Sequence, residues 1–381
     1  MNRYAAALSV HPTPVEGVGE VAGEIIERFE GDRPDLLVCF ASPDHVGAFE
    51  DIAGGLRKLL EPAAMMGATT VAVVGGGREI EDAPALSVFA ARFATGRADL
   101  LSLDAMETDD GFVIIGWPDS VPPRGTLLML ADPYSFPVAH FLRLVNEQAP
   151  ELTVVGGLAS AAAGPGGNRL VGDELVTSSG AIAVLLSEDV TVRPVVSQGC
   201  RPIGQAFTVT RAERNLVFEL AGQPAVSRLQ DLVLAADEGE RDLMRHGLHL
   251  GVVVDEHRPD FGRGDFLVRN LLGVDQDNGA LAVGERLDVG QTVQFHVRDA
   301  AAADEDLRLL LEPVAGNGAL LFTCNGRGTR FFGRPDHDAA VVEDLLGVVP
   351  VAGAFCAGEM GPVGGRNFLH GFTASLAVFG A

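Results

Sequence analysis

The run Thr126-Leu127-Leu128-Met129-Leu130-Ala131 is a continuous apolar segment of strand length, and a helix is predicted to follow it over Pro137–Gln148. Apolar residues recur on one face of that predicted helix: Val138, Phe141, Leu142 and Val145. Turn signals come next at Gly156-Gly157 and Gly164-Pro165-Gly166-Gly167, and the apolar run Gly180–Leu185 closes the unit. This order of strand, helix, glycine turns and strand is typical of an α/β fold.

The same order of elements returns near the C-terminus. The apolar run Ala319–Cys324 precedes a predicted helix over Asp336–Leu346. The turn Gly361-Pro362-Val363-Gly364-Gly365 then precedes the last apolar run, Phe372–Phe379. The repetition predicts a mixed α/β (α+β) fold of two pseudo-repeated α/β domains, in which helices flank the β-sheets and a shared crevice is the place for a ligand.

The length of 381 residues fits about two domains, at roughly 100–200 residues each. A polar stretch at 235–242 separates the halves, so we place the boundary near residue 225 and expect domains over residues 30–225 and 226–381. In the N-terminal half, a buried strand is predicted at Leu36–Ala41, followed by a helix over residues 46–60.

The charge excludes two classes of partner. The chain carries 52 acidic residues against 28 Lys and Arg, a formal net charge of −24. A nucleic-acid binder needs a basic face to displace counterions, and an anionic membrane repels an acidic protein. No apolar run reaches the ~18–20 residues of a membrane-spanning helix. We therefore expect neither nucleic acid nor membrane as a partner.

The four cysteines, Cys39, Cys200, Cys324 and Cys356, are far apart and form no CxxC pair. This spacing favours reduced thiols in the cytoplasm over a disulfide framework or a zinc site. His246, His249 and the stretch Asp255–His257 look like strand flanks rather than metal ligands. The turn Gly75-Gly76-Gly77 lacks the further residues of a nucleotide-binding loop. We expect no metal and no cofactor.

Two glycine loops near the C-terminus concentrate the polar residues. Cys324-Asn325-Gly326-Arg327-Gly328 presents one arginine, whose fork suits a carboxylate, and Gly358-Glu359 presents one carboxylate. A structural interpretation stays open beside the functional one, because Arg327 and Glu359 can simply pair to lock two turns together. Asp336-His337-Asp338 is predicted to cap a helix. The candidate ligand-binding residues are Cys324, Asn325, Gly326, Arg327, Gly328, Gly358, Glu359, Gly361, Arg366, His370, Cys200, Arg201 and Arg269.

These segments carry a family resemblance. Gly199-Cys200-Arg201-Pro202-Ile203-Gly204, Phe266–Leu271, Cys324–Gly328, Ala357–Pro362 and His370–Thr373 resemble FIST proteins, over roughly residues 30 to 379. The resemblance implies a FIST N-like domain followed by a FIST C-like domain, a sensory module that binds small ligands such as amino acids. Members are commonly joined to an output domain, for which this chain leaves no room, so we expect a separate signalling partner.

Three functions follow from these observations. The leading hypothesis is a cytoplasmic small-molecule sensor in signal transduction, with Arg327 on the carboxylate and Glu359 on the ammonium of an amino acid, and with closure of one repeat on the other as the signal. The alternative is a protein–protein recognition module without a small ligand, whose acidic charge would attract a basic partner. A third hypothesis is a hydrolase or transferase that uses Cys324 or Cys356 with His370, and we rank it lowest because no third residue orients the histidine.

Overall fold

The computed structural model describes residues 2–109, 111–258 and 260–380. These residues form two compact units that alternate along the chain. Unit 1 takes in the residues up to Ser197, Leu307–Leu369 and those from Thr373 onward, and unit 2 consists of Gln198–Asp306 and His370–Phe372. The two copies predicted from the sequence lie in unit 1, except that His370–Phe372 of the second copy belong to unit 2. A division of the sequence near residue 225 stays a prediction.

Strands and helices alternate through most of the chain. The strands before residue 200 are β1 (Arg3–Ser9), β2 (Leu36–Ala41), β3 (Ala64–Thr69), β4 (Ala72–Gly75), β5 (Arg78–Glu81), β6 (Leu86–Arg92), β7 (Ala98–Thr108), β8 (Gly111–Ile115), β9 (Arg124–Ala131), β10 (Glu151–Leu158), β11 (Leu170–Gly172), β12 (Leu175–Thr177), β13 (Ala181–Leu186) and β14 (Val192–Gln198). The later strands are β15 (Cys200–Glu213), β16 (Leu216–Leu220), β17 (Gln223–Pro224), β18 (Leu248–Val253), β19 (Phe266–Asp275), β20 (Ala280–Val283), β21 (Thr292–Arg298), β22 (Gly318–Cys324), β23 (Val351–Cys356), β24 (Glu359–Val363), β25 (Arg366–His370) and β26 (Thr373–Phe379). The helices are α1 (Pro14–Arg28), α2 (Phe49–Leu60), α3 (Val138–Gln148), α4 (Ala225–Ala235), α5 (Glu238–His246), α6 (Ala300–Leu311), α7 (Thr329–Phe332) and α8 (His337–Leu346), with 3₁₀ turns at Pro43–Ala48 and Arg263–Asp265.

The predicted mixed α/β class is confirmed. The predicted strand Leu36–Ala41 coincides with β2, and the helices predicted from Pro137 and Asp336 begin one residue later, at Val138 and His337. The predicted apolar face of α3 is buried in full. The helix predicted over residues 46–60 is instead a 3₁₀ turn followed by α2, which begins at Phe49.

Unit 1 contains the strand–helix–strand unit three times, one more than the sequence predicts. In each repeat two parallel strands flank a helix: β2-α2-β3, β9-α3-β10 and β22-α8-β23. A hairpin follows, and a final strand (β6, β13 or β26) returns antiparallel to the first one. The hairpins are β4–β5, β11–β12 and β24–β25. The first repeat shares this topology with the others but lacks their glycine–proline segments, so the sequence pattern does not mark it as a repeat.

Each hairpin pairs with the sheet of another repeat. β4 of the first repeat pairs with β23 of the third, β11 of the second with β3 of the first, and β24 of the third with β10 of the second. The exchange is cyclic, so every sheet of unit 1 is completed by a segment distant in sequence. The glycine–proline segments that suggested the repeat occupy different places in it, since Gly164–Gly167 precedes β11 and Gly364-Gly365 forms the turn of β24–β25.

One apolar core lies between the three sheets of unit 1, and separate apolar clusters lie under the helices. Phe40 of β2 and Phe322 of β22 meet edge to face in this central core, with ring centroids 6.0 Å apart. Unit 2 is built on one sheet in the order β15-β21-β18-β19-β20-β16-β17, with its own apolar core. Within the described residues, no helix is both long and apolar enough to cross a membrane.

Candidate functional site

A buried ion pair forms the centre of the candidate site in unit 1. Arg327 lies in the loop after β22 and is 2% exposed. Its Nε donates to Oδ2 of Asp338 at 2.7 Å and its Nη2 to Oδ1 at 2.8 Å. Asp338 also accepts a hydrogen bond from the Thr323 hydroxyl at 2.6 Å. Burial alone would raise the pKa of Asp338, but the guanidinium and these hydrogen bonds hold it well below its usual range. The pair is therefore charged at neutral pH.

The guanidinium of Arg327 is only partly satisfied. One side lies over the ring of Phe332, 5.1 Å from its centroid, and Phe332 stacks in turn on the ring of His337. Among the residues that the structure describes, none offers a hydrogen-bond acceptor to Nη1, although this atom is buried. A buried donor without a partner costs roughly 1–3 kcal/mol. Nη1 is thus a place where an additional acceptor would be favourable.

Glu359, the first residue of β24, is a second buried and partly satisfied group. Its side chain is fully buried, and Oε2 accepts hydrogen bonds from the backbone N–H (3.2 Å) and the hydroxyl (2.7 Å) of Thr373. Oε1 has no hydrogen-bond partner within the described part of the chain. Burial raises the pKa of Glu359 to about 8, against the opposing effect of the Thr373 hydrogen bonds. The carboxyl group is therefore mostly protonated at neutral pH.

The three repeats show that the fold does not require an acid at position 359. The exchanged hairpins place one residue at the same point of each sheet: Val73 opposite Ala354, Leu170 opposite Ala68, and Glu359 opposite Gly157. The residues that they face have matching neighbours on the first strand of each repeat: Phe322, Phe40 and Leu130. Val73 and Leu170 are part of the central apolar core. The third hairpin therefore carries a carboxyl group where the other two carry an apolar side chain.

Glu79 reaches the site from the hairpin of the first repeat. Its Oε1 accepts a hydrogen bond from the backbone N–H of Ala339 in the first turn of α8, at 3.0 Å. In return, Oδ1 of Asp336 accepts one from the backbone N–H of Glu79, at 2.7 Å. Burial and the nearby Asp338 carboxylate raise the pKa of Glu79 to about 8. A carboxyl group from a distant segment therefore caps α8.

This arrangement corrects the sequence prediction for Asp336-His337-Asp338. The helix does begin there, but the Asp336 side chain does not cap it and its backbone is left-handed, with φ 60°. The Asp338 side chain is directed to Arg327 instead. The alternative in which Arg327 pairs with Glu359 is also not observed, since the bidentate partner of Arg327 is Asp338.

The cysteines of the site are buried. Cys324 ends β22 and faces Cys356 of β23 across the parallel pair, and they are 6% and 1% exposed. Burial, with Glu359 nearby, raises the pKa of the Cys356 thiol well above its usual value. A protonated and buried thiol is a poor nucleophile, so the geometry does not favour the cysteine-based hydrolase or transferase.

The other candidates of unit 1 lie in the loop that carries Arg327 and in or next to the hairpin β24–β25. Asn325 is exposed and Gly326 half-buried, so the loop separates Arg327 from solvent. Gly358 accepts a backbone hydrogen bond from Leu158. Two of the candidates are glycines for steric reasons. A Cβ at Gly361 would lie 2.3 Å from the Val196 side chain, and a Cβ at Gly328 would lie 2.7 Å from the Glu81 side chain. Arg366 is exposed at the β24–β25 turn.

The remaining candidates lie in unit 2. Arg201 pairs with Asp299 at 2.7 Å, and Arg269 pairs with Glu285. Cys200 and His370 are buried. His249 contacts the ring of Phe372 in a tilted arrangement, with centroids 4.3 Å apart and an interplanar angle of 42°. In the described ranges, no group of three or more His, Cys, Asp or Glu side chains is arranged to hold a metal ion.

Sequence reasoning selected Arg327 and Glu359 but missed two residues of the same cluster, Asp338 and Glu79. In the sequence Asp338 looks like part of a helix cap, and its spacing from Arg327 gives no periodic signal. Glu79 lies on a short strand far away in sequence, and only the exchange of hairpins brings it to α8. A buried carboxylate is the natural partner of a buried arginine, which is the one signal that could have pointed to Asp338.

Comparisons with known proteins agree with this architecture. A model of the FIST N domain matches residues 35–223, and a model of the FIST C domain matches residues 225–362. The chain is 44% identical over 384 residues to the uncharacterized protein Rv0628c of Mycobacterium tuberculosis, covering 99% of both chains. It is 43% identical over 384 residues to the uncharacterized protein Mb0898c of Mycobacterium bovis, covering 99% of this chain and 98% of that one. The chain therefore belongs to the FIST family, whose domains are small-ligand-binding sensory modules of signal-transduction proteins rather than enzymes.

Proposed function

We propose that this protein is a sensor that binds an amino acid, or a metabolite with the same two charged groups, at Arg327 and Glu359. The observation that carries the proposal is that Arg327 Nη1 and Glu359 Oε1 are both buried and have no hydrogen-bond partner among the described residues. Nη1 is a cationic donor, and Oε1 becomes an anionic acceptor when the carboxyl group of Glu359 loses its proton. The two side chains are close enough for each to shift the pKa of the other. The carboxylate of an amino acid complements the first atom and its ammonium group the second.

The surrounding residues support a recognition site rather than a purely structural ion pair. Asp338 already holds the guanidinium in a fixed orientation through two hydrogen bonds. Thr373 fixes the carboxyl group of Glu359 in the same way. Groups held in place before the ligand arrives lose little conformational entropy on binding. The presence of apolar residues at the equivalent points, Val73 and Leu170, supports a functional reason for Glu359.

The burial of the site supports a coupling between binding and conformation. A ligand reaches Arg327 only if the covering loop moves, and Asn325 and Gly326 are its outermost residues. Gly328 has a left-handed backbone, with φ 84°, which would be strained in a residue that carries a side chain. We assign it as the hinge of this loop. Ligand binding then shifts the population between open and closed loop conformations, and a separate partner protein responds to that shift. The reduced, buried cysteines fit a cytoplasmic location.

A thermal-shift screen of the purified protein tests the proposal. The panel contains the common amino acids, with matching carboxylic acids and amines that carry only one of the two charged groups. At a hundred times its Kd, a ligand stabilises the protein by about 2.7 kcal/mol, which raises the midpoint measurably. We expect at least one amino acid to do so, and its one-group analogues to do so far less. Arg33→Lys, at an arginine of the same unit whose side chain is 72% exposed, is the control for Arg327→Lys. A panel in which no amino acid stabilises the protein would contradict the proposal.

A further inference from the structure

The hairpin β7–β8 presents an open sheet edge in unit 1. In the sheet ordered β25-β24-β10-β9-β13-β7-β8, β8 is the last strand, and no described strand pairs with its outer side. The backbone N–H and C=O groups on that side are therefore available to an added strand. One face of the hairpin is anchored, since Ile114 packs on the apolar core below α3 and Phe112 contacts the ring of His140. The edge is held in place, and none of the described strands covers it.

The sequence of β8 lacks the features that usually protect an edge strand. Gly-Phe-Val-Ile-Ile over residues 111–115 contains no charge and no proline. Two other outer strands of unit 1 carry such features, since β5 has Arg78, Glu79 and Glu81, and β14 has Pro194. The outer strand β12 has no charge or proline but is only three residues long. Lysine, proline and inward charges are the common protection against unwanted pairing. Their absence makes β8 a site where an extended segment can add.

Apolar side chains line the face of the hairpin opposite to α3. Met106 of β7 and Val113 of β8 are directly opposite in register, and Ile115 follows on the same face. These three side chains are 53%, 49% and 51% exposed, respectively. An added strand with apolar residues at every second position would cover them while its backbone pairs with β8.

The charge around this edge selects the partner. Asp104 lies opposite Ile115, and Glu107 and Asp109 are exposed at the turn of the hairpin. The whole chain has a formal net charge of −24, so a second copy would be repelled, whereas a basic segment would be attracted. We propose that β8 docks an extended segment of a partner protein that alternates apolar residues and carries Lys or Arg near its ends. This site is independent of Arg327 and Glu359, and it would give the sensor its route to a signalling partner.

Fluorescence anisotropy of the full chain with a labelled peptide tests the proposal. The peptide alternates valine and threonine between pairs of lysines, and the control peptide has glutamates in place of the lysines. We expect the lysine peptide to bind, and high salt or the double variant Glu107→Lys/Asp109→Lys to weaken binding at least tenfold. Val113→Lys is expected to have the same effect, because a lysine on the edge opposes pairing. Val348→Lys, at an exposed valine elsewhere in unit 1, is the matched control and should leave binding unchanged.

Three outcomes would overturn the proposal. The first is that the lysine peptide does not bind. The second is that the lysine and glutamate peptides bind equally well, or that Val113→Lys binds the lysine peptide as tightly as the wild type does. The third comes from sedimentation: a dimer of the wild type that Val113→Lys dissociates would mean that the edge pairs with a second copy. Circular dichroism of each variant establishes that it is folded, and Val113 is a surface position where a lysine leaves the core intact.

Discussion

Arg327 and Asp338 form a bidentate ion pair in which both side chains are almost completely removed from solvent. The two residues are eleven positions apart, one in the loop after β22 and the other in the first turn of α8. The pair therefore fixes the loop of the candidate site to the helix of the third repeat. It leaves one guanidinium nitrogen, Nη1, for a further acceptor.

Breaking this pair from either side should destabilise unit 1 strongly. Asp338→Asn leaves the guanidinium of Arg327 buried without a counter-charge, and Arg327→Met leaves the Asp338 carboxylate in the same state. Loss of one partner of a buried pair costs about 3–5 kcal/mol. Urea denaturation measures the free energy of unfolding, and the double variant should lose much less than the sum of the single variants. A cost below about 1 kcal/mol for Asp338→Asn would contradict the account.

Glu359 should make the protein less stable as the pH rises toward 8. Its pKa is about 8 in the folded protein, above the ordinary value of 4.5 that applies when the chain is unfolded. Between these values the folded state holds a proton that the unfolded state has lost. The contribution of Glu359 is therefore complete below pH 4.5 and declines by about 1.4 kcal/mol per pH unit until pH 8.

Glu359→Gln tests this dependence because glutamine keeps the shape of the protonated acid. Urea denaturation between pH 5 and 8.5 should give a smaller decline for the variant than for the wild type. Glu79, with a pKa of about 8, contributes a similar decline of its own that persists in the variant. Equal slopes for the variant and the wild type would show that Glu359 is ionised throughout.

Two histidines of unit 2 should have the opposite effect at acidic pH. His249 and His296 face each other on β18 and β21, and burial lowers the pKa of each to about 4. The unfolded chain binds protons at these residues near pH 6.5, but the folded chain does not. Stability is therefore lost as the pH falls from 6.5 toward 4.

Replacing His249 by phenylalanine should reduce this acid sensitivity while it keeps a ring against Phe372. Circular dichroism melts at pH 4.5 and pH 7 measure the effect, with the exposed His257→Phe as the matched control. The difference between the two midpoints should be smaller for His249→Phe than for the wild type and unchanged for the control. An unchanged difference in both variants would count against buried neutral histidines.

A glycine of the second repeat should be essential for sheet formation. At Gly156 on β10, a Cβ would lie 1.8 Å from the carbonyl oxygen of Met129 on β9. Gly156→Ala should therefore cost at least about 3 kcal/mol or prevent folding. Gly164→Ala is the control, because no described atom lies within 4 Å of its added carbon and its φ is not positive. Calorimetric melting of both variants checks the contrast, which similar midpoints would contradict.

Local pattern was sufficient to predict much of the fold. The apolar run Leu36–Ala41 predicted a buried strand because such runs mark strands covered on both faces, and helical spacing on α3 predicted its buried face. Glycine flanks singled out Arg327, and the structure places this residue in a buried cluster with Glu359. These predictions rest on residues that are near one another in sequence.

What the sequence did not predict depends on contacts between distant segments. Glu79 caps α8 only because the hairpin β4–β5 leaves its own repeat and pairs with β23. The pattern of apolar and polar residues within residues 72–81 does not indicate that this hairpin pairs with another repeat. The sequence pattern also does not reveal the first repeat, because its backbone topology matches the other two repeats while its turn residues differ from theirs. Strand pairing between repeats depends on how the side chains pack in the assembled sheets and not on local strand propensity.

Calorimetric titration tests the central claim most directly. The amino acid identified by the thermal-shift screen is titrated into the wild type, Glu359→Gln and the control Gly164→Ala. The account predicts that the wild type and Gly164→Ala bind with the same affinity and that Glu359→Gln binds at least tenfold more weakly, since its amide cannot become the anionic partner of an ammonium group. Equal affinities for all three proteins would contradict it.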